Sequence, residues 1–176
     1  MIITEILARN ARMYPDETAL IEREPAKQKR LSITWKEFDE TANRVANALI
    51  NKGVRKGDKV IHLMMNCLEW LPAYFGILRT GAWAVPLNFR FSANDIQYCA
   101  DIAEAKAMIF GEEFIERIDD VKQDLPSIHD FVFVGPDELR PAYAEAWDAF
   151  LKAGNPVNPD VAIDLLDDAA LYFTSG

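Results

Sequence analysis

Four short apolar runs recur about every 23 residues through the middle of this chain: "KVIHLMM" from Lys59, "AWAVPL" from Ala82, "KAMIF" from Lys106 and "DFVFV" from Asp130. Few polar residues interrupt them, so each reads as a strand covered on both faces, as in a parallel sheet. Helical patterns lie between them. That spacing predicts a βαβ series, hence an α/β fold with a doubly wound, largely parallel sheet flanked by helices. In such sheets ligands sit beyond the carboxyl ends of the strands.

The remaining elements follow from local signals. Residues 4–14 read as a helix with Thr4 as cap and Pro15 beyond its end. "TALIERE" and "KRLSIT" read as a small N-terminal β-hairpin around "EPAK". Thr34 and Glu37 form a capping box, and Trp35, Phe38, Ala42, Val45, Ala46, Leu49 and Ile50 then share one helical face. Gly53 supplies a left-handed stop. Lys36, Asp39, Glu40, Asn47 and Asn51 lie opposite, on a face expected to meet water. Asn66 with Glu69 suggests the next helix start, and Pro72 demands a kink or a later one. Ser92 and Asp95 open a helix to about Ile102. "EEFIERIDDVKQD" and "PAYAEAWDAFLK" read as helices, and "ALYFT" as a last strand.

At 176 residues, half of them hydrophobic, the chain can bury a real core. The net charge is −9, which argues against nucleic acid as a partner, since phosphate backbones demand a basic footprint. Cys67 and Cys99 have no metal or disulfide spacing and read as reduced, buried thiols of a cytoplasmic protein. No run approaches a membrane span, and the first residues do not read as a secretory leader. GxGxxG, GxxxxGK[ST], GxSxG and HExxH are all absent. His62 and His129 read as satisfied structural or surface histidines. Asp164, Asp167 and Asp168 read as a solvated turn rather than a metal site, so no metal ligand and no catalytic residue is assigned.

The last six residues, "LYFTSG", carry two readings. Thr-Ser-Gly occurs in ordinary turns. It also opens loops in which hydroxyls and backbone N–H groups donate to phosphate oxygens and glycine allows close approach.

Longer blocks bear on that choice. "LSITWKEFDETANRVANALINKGVRKGDKV" resembles the N-terminal signature of adenylate-forming enzymes. "NCLEWLPAYFGILRTGAWAVPLNFR" is similar to that family's next block, and "DDAALYFTSG" to the opening of its phosphate loop. The matches run in family order from about residue 4 onward. Within the superfamily the chain looks most like fatty or aromatic acyl-CoA synthetases.

The resemblance implies the first subdomain of the adenylate-forming N-terminal (AMP-binding) domain, with 1–176 an incomplete domain that stops inside the phosphate loop and lacks the C-terminal domain. It implies ATP, Mg²⁺ and coenzyme A as the parent enzyme's cofactors and cosubstrates, and a small carboxylic acid as substrate. Thr174, Ser175 and Gly176 match the loop for ATP phosphates. Arg90 matches an arginine beside the CoA nucleotide. Phe173 stands where the family often has Tyr, and Phe89 where it usually has Pro. By itself the chain is expected to be inactive, and either to self-associate through its truncated face or to have a disordered tail. The other readings are a non-catalytic assembly module, or an adenylation domain with a different acceptor, as in peptide synthetases and luciferases.

Overall fold

The computed structural model describes residues 2–174. Helix α1 (Ile3–Met13) is capped two residues earlier than Thr4 suggested. Ile2 is the cap residue, and its N–H donates to the Glu5 carboxylate at 3.0 Å. Thr4 lies buried inside the first turn. The hairpin β1 (Thr18–Glu24) and β2 (Lys29–Thr34) is antiparallel and separate from the main sheet. Its inner residues, Ala19, Leu20 and Ile33, pack with Leu7, Phe38 and Ala42.

Helix α2 (Trp35–Asn51) opens as expected. Thr34 Oγ1 accepts from the Glu37 N–H at 3.2 Å, and the Glu37 carboxylate accepts from the Thr34 N–H at 2.7 Å. The helix ends before Gly53, at φ +93°, a conformation that costs glycine nothing. The side of α2 expected to be wet is exposed at Lys36 and half-exposed at Glu40 but partly covered further along. Asn43, Asn47 and Asn51 recur one turn apart, and their amides donate to the carbonyls of Pro156, of Asn155 and Val157, and of Ala153. Arg44 donates to Gly154 O. The loop 153–157 brings a row of carbonyls without helix or sheet partners, and the asparagines satisfy them. Asp39 pairs with the buried Arg79, which also donates to Asn43 Oδ1 at 2.7 Å.

The main sheet has five parallel strands: β3 (Lys59–Leu63), β4 (Trp83–Pro86), β5 (Ala107–Gly111), β6 (Asp130–Val134) and β7 (Glu145–Ala146). Their order is β4-β3-β5-β6-β7. The chain winds outward in both directions from β3 and β5, so the order reverses between those two strands. Helix α3 (Trp70–Arg79) connects β3 to β4, and α4 (Ala93–Ala103) connects β4 to β5. Helix α5 (Ile115–Val121) follows β5, and α6 (Trp147–Lys152) follows β7. One core layer lies under α4 and α5, built on Ile61, Leu63, Met108, Phe110 and Phe133. The other lies under α2 and α3, built on Val60, Ala84, Ile109 and Val132. Alternate residues of each strand therefore enter opposite layers, which is why the strands read as unbroken apolar runs. No helix of the described residues is long and apolar enough to cross a membrane.

Four expected elements differ. Asn66 caps nothing: α3 starts at Trp70, which places Pro72 in its first turn where no N–H partner is lost. Residues 112–124 form a 3₁₀ turn, α5 and a second 3₁₀ turn, with the Phe114 ring fully buried where the first turn meets α5. The expected helix 141–152 is helical only from Trp147. Glu145 and Ala146 instead pair with Val132 and Phe133 as an edge strand.

The expected last strand is reduced to a single parallel bridge, Ala170 to Ala84. Ala84 N–H donates to Ala169 O, and Leu171 N–H donates to Ala84 O. The next outward-facing donor on β4 would be residue 86, which is proline. With no N–H there the ladder cannot continue.

Candidate functional site

The carboxyl end of β4 and the terminal segment beside it leave the sheet together. Ala170 faces Ala84 in parallel register. Leu171 and Phe173 pack on the α4–α5 layer and Ala170 on the other. Tyr172 and Tyr74 of α3 share a hydroxyl–hydroxyl hydrogen bond of 3.1 Å. Burial, and then Tyr172 as neighbour, pushes the Tyr74 hydroxyl above its ordinary pKa. Thr174 follows and is exposed. Ser175 and Gly176 lie outside the described residues.

Arg90 sits on a turn that local chemistry builds. Asn88 Oδ1 accepts from the Arg90 N–H and Asn88 O from the Phe91 N–H, both at 3.0 Å. Such an Asx turn is what asparagine favours. Beyond it, Ser92 and Asp95 close the reciprocal cap of α4, and Ser92 holds the Asp95 carboxyl below its ordinary pKa. From α5, Arg117 Nη1 donates to Phe89 O at 2.7 Å and to Phe91 O at 3.0 Å. The Arg90 guanidinium lies 5.3 Å from the centre of the Phe89 ring, which is 47% exposed. Sequence reasoning missed Arg117. It lies 26 and 28 positions from its partners, so no local pattern marks it.

A concavity of about 880 Å³ opens at the carboxyl ends of β3, β5 and β6, where the strand order reverses, with the hairpin as its far wall. Met64, Met65 and Asn66 line it after β3, and Gly111, Glu112 and Glu113 after β5. Its carboxylates also include Glu22, Glu69 and Asp148. Arg23, Lys29 and Lys152 line it too, but carboxylates outnumber these cations, a balance that disfavours a phosphate chain.

Of the other titratable residues, Cys67 lines the same concavity. His62 is fully buried against the Trp70 ring, at 4.4 Å between centroids, and desolvation lowers its pKa to about 3. It is structural, as expected, but not satisfied: neither ring nitrogen has a hydrogen-bond partner among the described residues. His129 is exposed. Burial raises the thiols of Cys67 to about 12 and of Cys99 to about 11, so neither is a ready nucleophile. Cys67 is only partly buried. Asp164 and Asp167 form a turn, the Asp164 N–H donating to the Asp167 carboxylate at 2.6 Å, and Lys56 pairs with Asp167. No group of three metal-ligating side chains converges among the described residues.

These features match known proteins. The model of the AMP-binding enzyme family matches residues 7–176. A 3-hydroxybenzoate–CoA/4-hydroxybenzoate–CoA ligase of Thauera aromatica is 33% identical over 82% of this chain and 28% of its own length. A medium/long-chain-fatty-acid–CoA/3-oxocholest-4-en-26-oate–CoA ligase of Mycobacterium marinum is 32% identical over 68% of this chain and 21% of its own. The chain thus spans between a fifth and three tenths of these relatives. Among solved structures, the anthranilate CoA ligase AuaEII in complex with anthranoyl-AMP superposes with a TM-score of 0.89 at 26% identity, over 98% of this chain and 32% of that one. The N-terminal domain of FACL13 from Mycobacterium tuberculosis gives 0.83 at 26%, over 99% and 41%. Sheet order, signature blocks and a family match across nearly every residue agree: the chain belongs to the AMP-binding enzyme family.

Proposed function

We propose that this chain is the front of an ATP-dependent acyl-CoA ligase and supplies the first subdomain of its AMP-binding domain. In that enzyme a fatty or aromatic carboxylate attacks the α-phosphate of ATP, giving an acyl-adenylate and pyrophosphate. The thiol of coenzyme A then adds to the acyl carbon, loses its proton and displaces AMP. Charge develops on phosphoryl oxygens in the first step, so fixed donors and Mg²⁺ carry much of the catalysis. The observation that supports the reading is the parallel seating of Ala170 beside Ala84, which carries the chain on along β4 toward Thr174.

In this reading the Thr174 hydroxyl, with Ser175 and Gly176, donates to ATP phosphates, and the Arg90 guanidinium pairs with a CoA phosphate. Mg²⁺ neutralises phosphate charge when ATP is bound, and no described residue is assigned to it. The relatives' names support both acid classes, hydroxybenzoates and medium to long fatty acids. Two unpaired thiols support a cytoplasmic location.

The test is pyrophosphate exchange into ATP by the full-length polypeptide, across a panel of aromatic and fatty acids, followed by thioester formation with CoA. At least one acid is expected to support both. The 176-residue chain is expected to support neither. Absence of exchange with every acid overturns the ligase reading, and turnover by the short chain overturns its dependence on the rest.

A further inference from the structure

The Asn88–Phe91 turn is held from both sides. Within it, the Asn88 side chain accepts from the Arg90 N–H. From outside, a single guanidinium nitrogen of Arg117 bridges the carbonyls of Phe89 and Phe91, at 2.7 and 3.0 Å. Those carbonyls flank Arg90. Arg117 makes no salt bridge among the described residues; its charge rests on those two carbonyls and on the Phe114 ring, 5.1 Å away. Arg90 is likewise unpaired with any carboxylate among the described residues and lies over an exposed ring. Two guanidinium groups thus converge on one turn of a chain whose net charge is −9.

We propose that Arg117 is a positioning residue for the nucleotide end of the thiol substrate. It fixes the backbone on either side of Arg90 and adds a second positive charge behind it. This rests on the reading of Arg90 given above. Two physical consequences follow. An arginine on a held turn loses less freedom when it pairs with a phosphate than one on a loose loop. A cation behind the turn also raises the local potential for an anion in an otherwise acidic molecule. The contribution belongs to the second half-reaction, in which CoA enters, and not to adenylation.

The experiment compares wild type with Arg117→Ala, Arg117→Lys and Arg90→Ala. In the full-length polypeptide, KM for CoA and the rate of pyrophosphate exchange are measured. In the 176-residue chain, amide hydrogen exchange is followed at residues 88–91. Arg117→Ala is expected to raise KM for CoA about tenfold, through two lost charge-assisted hydrogen bonds, and to change pyrophosphate exchange much less. Amides of Arg90 and Phe91 should exchange faster. Arg117→Lys, which keeps the charge and can donate to both carbonyls, should recover most of the CoA affinity.

An unchanged KM for CoA in Arg117→Ala overturns the proposal. So does an equal loss in both half-reactions, which would mark general misfolding, or unchanged amide exchange in the turn. Arg90→Ala with unchanged KM for CoA overturns it at its premise. Wild-type protein that makes no CoA thioester sinks the ligase reading and the nucleotide role together, while amide exchange still decides separately whether Arg117 clamps the turn.

Discussion

His62 is a single residue whose surroundings set a measurable property. Its imidazole has an ordinary pKa of 6.5 in the unfolded chain and about 3 in the fold, because burial disfavours the cation. Between those values the unfolded state binds a proton that the folded state excludes. Stability is therefore complete above about pH 6.5 and falls as pH drops toward 3, by at most about 1.4 kcal/mol per pH unit from this residue. Urea unfolding at pH 7, 5.5 and 4 should show a steeper acid loss in wild type than in His62→Leu. The carboxyls of Glu37, Asp95 and Asp167, all lowered in the fold, add acid losses of their own to both proteins. The difference between the curves isolates His62, and parallel curves would show that the imidazole finds a proton acceptor. The burial of His62 was legible, since it sits inside "KVIHLMM". Its lack of a partner was not. That depends on Trp70 and Tyr74, brought over it by the packing of α3.

At the scale of elements, what is local was readable and what is distant was not. The caps at Thr34 and Ser92 are closed by residues three positions away, so the sequence displays them whole. The asparagines of α2 are visible as a stripe one turn apart, but the carbonyls they satisfy lie 102 to 113 positions onward. A polar stripe without its partner reads as a solvated face. Asn47→Ala removes donors to Asn155 O and Val157 O, and should cost about 1–2 kcal/mol. Amides of residues 153–158 should lose protection from hydrogen exchange while those of β3 and β5 keep theirs. Uniform loss, or none, would show that the stripe does not anchor the loop. The two residues of β7 were hidden for a related reason: they are strand only because β6 lies alongside. The shortened last strand was legible in principle, through Pro86, but only once β4 and the terminal segment were known to be neighbours.

For the molecule as a whole, the alternation of strands and helices made the class of fold readable, and the order β4-β3-β5-β6-β7 was not, since spacing carries no information on which strands pair. Arg90 and Thr174 were named from family pattern alone, and the acidic hollow at the strand-order reversal was not foreseen. The terminal segment and the turn before it leave apolar groups in solvent: Tyr172 is 61% exposed, Leu165 70% and Leu166 93%. The 19.9 kDa chain should therefore gain apparent mass with concentration in light scattering, and less so with Leu165 and Leu166 both changed to Ser. A constant monomer mass across the range would show that this surface does not drive association. The pairing of Ala170 with Ala84 reaches further than the site itself. During synthesis, β3 and β4 leave the ribosome long before residue 170, a gap on the order of ten seconds at typical translation rates. Throughout that interval the outer edge of β4 has no neighbour from its own chain, and Pro86 is the feature that blunts it against those of other nascent chains.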